Sequence, residues 1–251
     1  MTRPRSYSGL LNRLSSLPSN CDAISVIGEI RANNKAYPML KIILGNGNPK
    51  RALISAGIHG DEPAGVDALC SFLKEQRYKP FIKEWELTFL PCINPSGYES
   101  GTRNNHAGKD LNRKFKVKHP PLEVKYVQSV FQEYFELTLE LHEDADSSGY
   151  YLYQAKNSIR KTRIGHQILD KVKDIIPINM NPMIEGMPAE RGVIKPPDDP
   201  RKMKWWPMAI YALAREAGCC LTLETATRFP LKYRVEAHQI AIETALKNLK
   251  K

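Results

Sequence analysis

Residues 53–66 read Leu-Ile-Ser-Ala-Gly-Ile-His-Gly-Asp-Glu-Pro-Ala-Gly-Val. A short apolar run ends at Ala56-Gly57, and His59 and Glu62 follow just before Pro63, a residue suited to the first turn of a helix. A strand that stops here hands two ionisable side chains to a loop. A His-x-x-Glu pair is common by chance, so the stretch alone leaves two readings open: ordinary polar loop residues, or two metal ligands.

Working outward, residues 51–56 are almost continuously apolar, the pattern of a strand buried on both faces at a sheet centre. Upstream, β-rich runs at 23–30 and 37–44 flank a hairpin-like connection at 32–35, and leucines at 10, 11, 14 and 17 have helical spacing. Downstream, residues 64–76 predict a helix and 85–93 a strand. Strand, helix and strand in that order imply a parallel crossover. Residues 94–115 are rich in Gly and Asn and read as a long loop, a class of segment that usually carries function.

Further along, helices are expected over 122–135, 158–172, 205–217 and 233–249, the third stopped by Gly218 as a C-terminal cap. Strands are expected over 137–141, 149–153 and 219–223. Residues 176–200, with six prolines, are expected to be irregular. The chain of 251 residues is long enough for one α/β domain with a substantial core, and residues 1–251 are taken as a single domain.

Composition narrows the function classes. The formal net charge is +10, yet Lys and Arg are scattered without the aromatic interleaving of a nucleic-acid platform, so nucleic acid is not an expected partner. Positive potential also attracts carboxylates. The five cysteines are odd in number and lack Cys-x-x-Cys spacing, which argues against a disulfide scaffold or a thiolate metal site. No apolar stretch reads as a signal peptide or a membrane span, and a cytoplasmic location is expected.

Three segments share one feature, an apolar strand followed at once by an isolated ionisable group: His59 with Glu62, then His142, then Glu224. Ligands of open α/β sheets bind at the carboxyl ends of strands, so these groups can converge although far apart in sequence. Two histidines and one carboxylate form a known open zinc site, which His59, Glu62 and His142 supply. Glu224 is then a separate carboxylate, free to accept a proton as a general base. A protein that only binds has no use for that last group.

The loop at 94–115 adds Asn94-Pro95-Ser96-Gly97, Gly101-Thr102-Arg103 and Asp110-Leu111-Asn112-Arg113. With His59-Gly60-Asp61-Glu62, the lone His142 and Leu221-Thr222-Leu223-Glu224, the chain resembles the zinc metallocarboxypeptidase family, in particular its short bacterial members similar to murein tripeptide amidases. The motifs run in the family's order from residue 53 to residue 224.

The resemblance implies a mixed, mostly parallel twisted sheet with helices on both faces, one zinc ion per chain, and a peptide or acyl-amino acid substrate with a free carboxylate. It assigns carbonyl polarisation to Arg103 and the grip on the substrate carboxylate to Asn112 and Arg113, with Asp110 orienting the first zinc histidine. Two departures stand out: residues 201–206 lack the tyrosine that closes over substrate in digestive members, and His142 is followed by Glu143-Asp144-Ala145-Asp146 instead of a small hydroxyl residue. The second-ranked reading is an N-acyl amino acid deacylase related to aspartoacylase and succinylglutamate desuccinylase.

Overall fold

A computed structural model describes residues 5–17, 23–156, 163–195, 199 and 202–249. Its centre is one ten-stranded sheet in the order β1-β2-β4-β3-β5-β10-β6-β9-β8-β7, made of β1 (Ala23–Ala32), β2 (Lys35–Leu44), β3 (Lys50–Ala56), β4 (Trp85–Leu90), β5 (Leu137–Asp144), β6 (Tyr151–Lys156), β7 (Met183–Ile184), β8 (Met187–Glu190), β9 (Val193–Ile194) and β10 (Cys219–Ala226). The four central strands β4, β3, β5 and β10 run parallel, and antiparallel partners close both sides. The mixed sheet implied by the motifs is present, but it is not mostly parallel: four of its pairings are parallel and five antiparallel, the parallel ones concentrated at the centre.

Burial explains the strand order. Every residue of β4 is buried, as are all but the last of β5, because these strands lie at the centre of the sheet; the burial includes polar side chains, Glu86 on β4 and Glu140 and His142 on β5. At the edge, β1 alternates and leaves Ile24 and Val26 exposed. Asn33 and Asn34, both with positive φ, make the tight turn between β1 and β2, a conformation asparagine tolerates well.

Helices α1 (Tyr7–Ser15), α2 (Pro63–Lys74), α3 (Pro95–Ser100), α4 (Leu122–Val130), α5 (Ile164–Val172), α6 (Met208–Ala214) and α7 (Leu231–Asn248) flank the sheet. α7 packs against both α2 and α5, forming one layer, and α6 packs on β10, β6 and β5. Alternation along β5 separates the two environments. Leu141 meets α2 at Gly65, so His142 and Glu140 point to the opposite face.

Three expectations change. Residues 94–115 are not bare loop: Asn94 accepts the Gly97 N–H through its side chain and caps the short helix α3, and a 3-10 turn covers Leu111–Arg113. Residues 176–200, expected to be irregular, contribute β7, β8 and β9, strands too short to leave an alternating pattern. Gly218 does not cap α6; Glu216 takes the left-handed conformation, and Gly218 lies where a Cβ would crowd the Glu136 carbonyl. Part of the helix expected over 158–172 falls outside the described residues. Among the described residues, no helix is long and apolar enough to cross a membrane.

Candidate active site

The loop after β3 is held by glycine-to-glycine contact. A Cβ on Gly60 would run into the Gly97 backbone, and one on Gly97 would strike the Asn94 amide, so the His59–Glu62 loop and the Asn94–Gly97 turn interlock only without side chains there. The Gly60 N–H and the Asn94 side-chain amide both donate to the Arg103 carbonyl, at 3.4 and 3.2 Å. Motifs separated along the chain thus form one rigid floor. Pro63 begins α2, as its fixed φ allows.

On this floor the Glu62 carboxylate stands between two imidazoles. His59 Nδ1 is 2.6 Å from Oε1 and His142 Nδ1 is 2.8 Å from Oε2, and the rings lie 5.0 Å apart. All three side chains are buried, and their ligand atoms lie within 4.8 Å of one another. Burial alone would raise the Glu62 carboxyl, but His142 and His59 outweigh it and bring it down to about 2. A buried ionised carboxylate wedged between two Nδ1 atoms is a donor set that fits a divalent cation of zinc's type.

Asp110 fixes the first imidazole from behind. Its Oδ1 lies 3.2 Å from His59 Nε2, while Oδ2 accepts from Arg103 Nε at 3.2 Å and pairs with Nη2 at 3.1 Å. Burial works to raise the Asp110 carboxyl, but the bond to His59 and the charges of His59, Arg103 and Arg113 hold it well below the usual range. The tautomer that donates from Nε2 to Asp110 is the one that leaves Nδ1 for a metal.

The remaining groups reach the site by strand register. Glu224 on β10 pairs with His142 on β5, in parallel, and with Tyr151 on β6. These three residues therefore share a face. Glu224 is pushed up to about 8, chiefly by burial; His142 works against this, and the Glu62 and Asp144 charges work with it. A carboxyl poised between neutral and ionised near neutral pH is suited to proton transfer.

Arg103 is partly exposed, its Nη1 3.6 Å from Glu62 Oε1. The Asn112 side-chain oxygen accepts the Met208 N–H at the start of α6, at 2.8 Å, which leaves its amide N–H groups to donate elsewhere. The Arg113 guanidinium lies 3.9 Å over the Trp205 ring. His59, Glu62, His142, Glu224, Arg103, Asn112 and Arg113 all line one cavity of about 530 Å³, so every sequence-expected site residue except Asp110 faces the same space, and Asp110 stands directly behind His59.

Three features were not foreseen. Tyr151 and Tyr153 line the cavity from β6, with Tyr151 donating to Asp144 at 2.9 Å; their run had read only as a β-prone segment. His238 on α7 is fully buried, its Nε2 3.1 Å from the His142 carbonyl, so it braces the strand that carries the second imidazole. In the acidic run after His142, the Glu143 carboxylate accepts the Ala64 N–H at 2.7 Å and pairs with Arg234, while its backbone N–H donates to Glu62 Oε2 at 3.2 Å. Among the described residues, His59, Glu62 and His142 form the single cluster with metal-ligand spacing.

No protein of curated function matches the chain. Solved structures share its fold: a Shewanella amazonensis protein described as a candidate metallopeptidase is 24% identical with a TM-score of 0.76, over 97% of this chain and 92% of that one. A metallo-carboxypeptidase from Burkholderia cenocepacia is 17% identical with a TM-score of 0.70, over 97% and 69%. A metallo-carboxypeptidase from Pseudomonas aeruginosa, in complex with (2-guanidinoethylmercapto)succinic acid, is 14% identical with a TM-score of 0.66, over 97% and 69%.

At these identities the likeness is one of fold, and that fold is the carboxypeptidase-like one the motifs implied. The family model that matches is the succinylglutamate desuccinylase/aspartoacylase catalytic domain, over residues 48–240. That span holds every site residue from His59 to Glu224, and the chain belongs to this family of hydrolytic enzymes.

Proposed function

We propose that the chain is a zinc-dependent metallocarboxypeptidase that hydrolyses an amide bond next to a free carboxylate in a peptide, with residues 1–251 acting as one catalytic domain in the cytoplasm. The observation that carries this reading is the register of Glu224 beside His142, which puts a half-buried carboxylate next to the candidate ligand set within the cavity shared with Arg103, Asn112 and Arg113. His59, Glu62 and His142 would hold one zinc ion per chain, which when bound supplies Lewis acidity toward the scissile carbonyl and toward water.

The chain's own groups do the rest. Glu224 accepts the proton of the attacking water on its carboxylate and returns it to the leaving amine nitrogen. Arg103 donates to the carbonyl oxygen as negative charge develops there. Asn112, through its amide N–H groups, and Arg113, through two parallel guanidinium bonds, hold the substrate's terminal carboxylate. Stacking on Trp205 limits how far the Arg113 fork can swing.

The family match favours a second reading, hydrolysis of an acylated single amino acid. The two are told apart by offering the zinc-loaded protein matched sets of di- and tripeptides and N-acyl amino acids. Turnover of peptides supports the first reading. Turnover of acyl-amino acids with none on peptides replaces it with the second.

A further inference from the structure

Strand β5 carries a residue that its surroundings do not explain. Leu137, Leu139 and Leu141 are buried on one face, and on the other the sequence alternates Thr138, Glu140, His142. Glu140 is buried to within 2%, and neither oxygen of its carboxylate has a hydrogen-bond partner. Burying an unpartnered carboxylate is costly, so a strand selected only for packing would carry an apolar residue here.

The nearest complementary group is the second histidine. Glu140 Oε2 lies 3.8 Å from His142 Nε2, and that nitrogen is itself buried without a hydrogen-bond partner. The two unsatisfied groups therefore face each other. Across the sheet Glu140 pairs in register with Ser55 on β3 and Thr222 on β10, and neither of these completes its bonding.

The first histidine shows what such a pairing does. His59 has Asp110 behind Nε2 and presents Nδ1 to Glu62; His142 likewise presents Nδ1 to Glu62 and has Glu140 behind Nε2. We infer that Glu140 is a positioning residue for His142, taking up its Nε2–H so that the ring is fixed as the tautomer whose Nδ1 faces the metal and is made a stronger donor. The inference rests on the proposed metal site. It adds a requirement the metal ligands alone do not contain: a carboxylate two residues earlier on the same strand. Outer carboxylates of this kind raise ligand basicity and hold the imidazole plane, and losing one weakens metal affinity by about 10- to 100-fold.

The test is a competition titration of the full-length metal-free protein with zinc against a chromophoric chelator, comparing wild type, Glu140→Gln, Glu140→Ala and His142→Ala. Glu140→Gln keeps shape and removes charge, so it is expected to weaken zinc binding by about tenfold or more. Its metal-free form should resist urea at least as well as wild type, since a buried unpaired carboxylate has been removed. A merely structural Glu140 gives the opposite pair of results, lower urea resistance with unchanged zinc affinity, and overturns the inference.

His142→Ala sets the scale and separates the two claims. If it loses zinc while both Glu140 variants bind as wild type does, the role of Glu140 fails and the site stands. If none of the variants weakens binding, the site itself fails. Should Glu140→Ala not fold, Glu140→Gln still decides, together with the His142 ring N–H proton resonance of the zinc-loaded protein. That resonance is expected to be exchange-protected in wild type and shifted or lost in Glu140→Gln, and an identical resonance in both proteins overturns the inference.

Discussion

Replacing Glu224 by Gln removes one ionisable oxygen from a half-buried position on the cavity wall and changes the shape of the cavity very little. Two consequences with opposite signs follow. Catalytically, the proton acceptor is gone, and turnover should fall by on the order of a hundredfold or more, at least about 2.7 kcal/mol of barrier. Zinc content should not change, because Glu224 is not in the ligand cluster. Thermodynamically, the metal-free variant should gain stability.

The sign of that gain comes from the shift itself. Glu224 ionises near 4.5 in an unfolded chain and is pushed up to about 8 in the fold, so its neutral form contributes stability that is complete below pH 4.5 and is lost as pH rises through about 8. Glutamine stays neutral throughout. The stability difference between Glu224→Gln and wild type should therefore be small at pH 4.5 and grow to a few kcal/mol by pH 8.5, the order that such a displacement corresponds to. Urea denaturation of the two metal-free proteins across this range measures it, and peptide turnover of the two zinc-loaded proteins measures the first effect. Unchanged turnover, or a stability difference that is flat with pH, refutes the role and the environment assigned to Glu224.

Other expectations concern the edges of the site. Arg113→Lys should raise KM about tenfold or more with a smaller change in kcat, because an ammonium cannot form the two parallel bonds of a guanidinium; steady-state kinetics on one peptide series checks this. Glu143→Ala leaves the half-buried Arg234 without its carboxylate partner and removes the acceptor at the start of α2, so unfolding should come about 1–3 kcal/mol more easily while zinc content and KM are kept; loss of zinc without loss of stability would place Glu143 in the site instead. The wall formed by Ala155, Ala209, Ile210, Cys220 and Thr222 carries no charge, so a peptide library should show preference for an apolar side chain beside the scissile bond, and a preference for acidic or basic side chains would contradict that reading of the wall.

Much of this was legible in local sequence. Pro63 after Glu62, and apolar runs ending at Ala56, Leu141 and Leu223, are signals a few residues long; they place the ionisable groups near the carboxyl ends of the strands, although β5 and β10 run on past His142 and Glu224 to Asp144 and Ala226. Convergence was an inference from fold class; register is what brings Glu224 beside His142. The same cause hid Tyr151 and Tyr153, whose direction is fixed only by pairing with Glu224 and Thr222. Glu140 was invisible for a related reason, since inside an apolar strand one glutamate reads as a minor interruption until its face is known. The strands at 183–194 and the short helix α3 are too brief for periodicity, and their geometry is set by caps and edge pairing. Gly218 misled because glycine has two uses, positive φ and close approach, and the sequence does not distinguish them.

The central claim is that His59, Glu62 and His142 hold a catalytic metal. A crystal of the zinc-supplemented protein, measured at wavelengths above and below the zinc absorption edge, tests it most directly. One anomalous peak per chain is expected, bounded by Nδ1 of His59, Nδ1 of His142 and the Glu62 carboxylate. A peak held instead by Asp144 and Asp146, or no peak at the three residues in the presence of excess zinc, would contradict it.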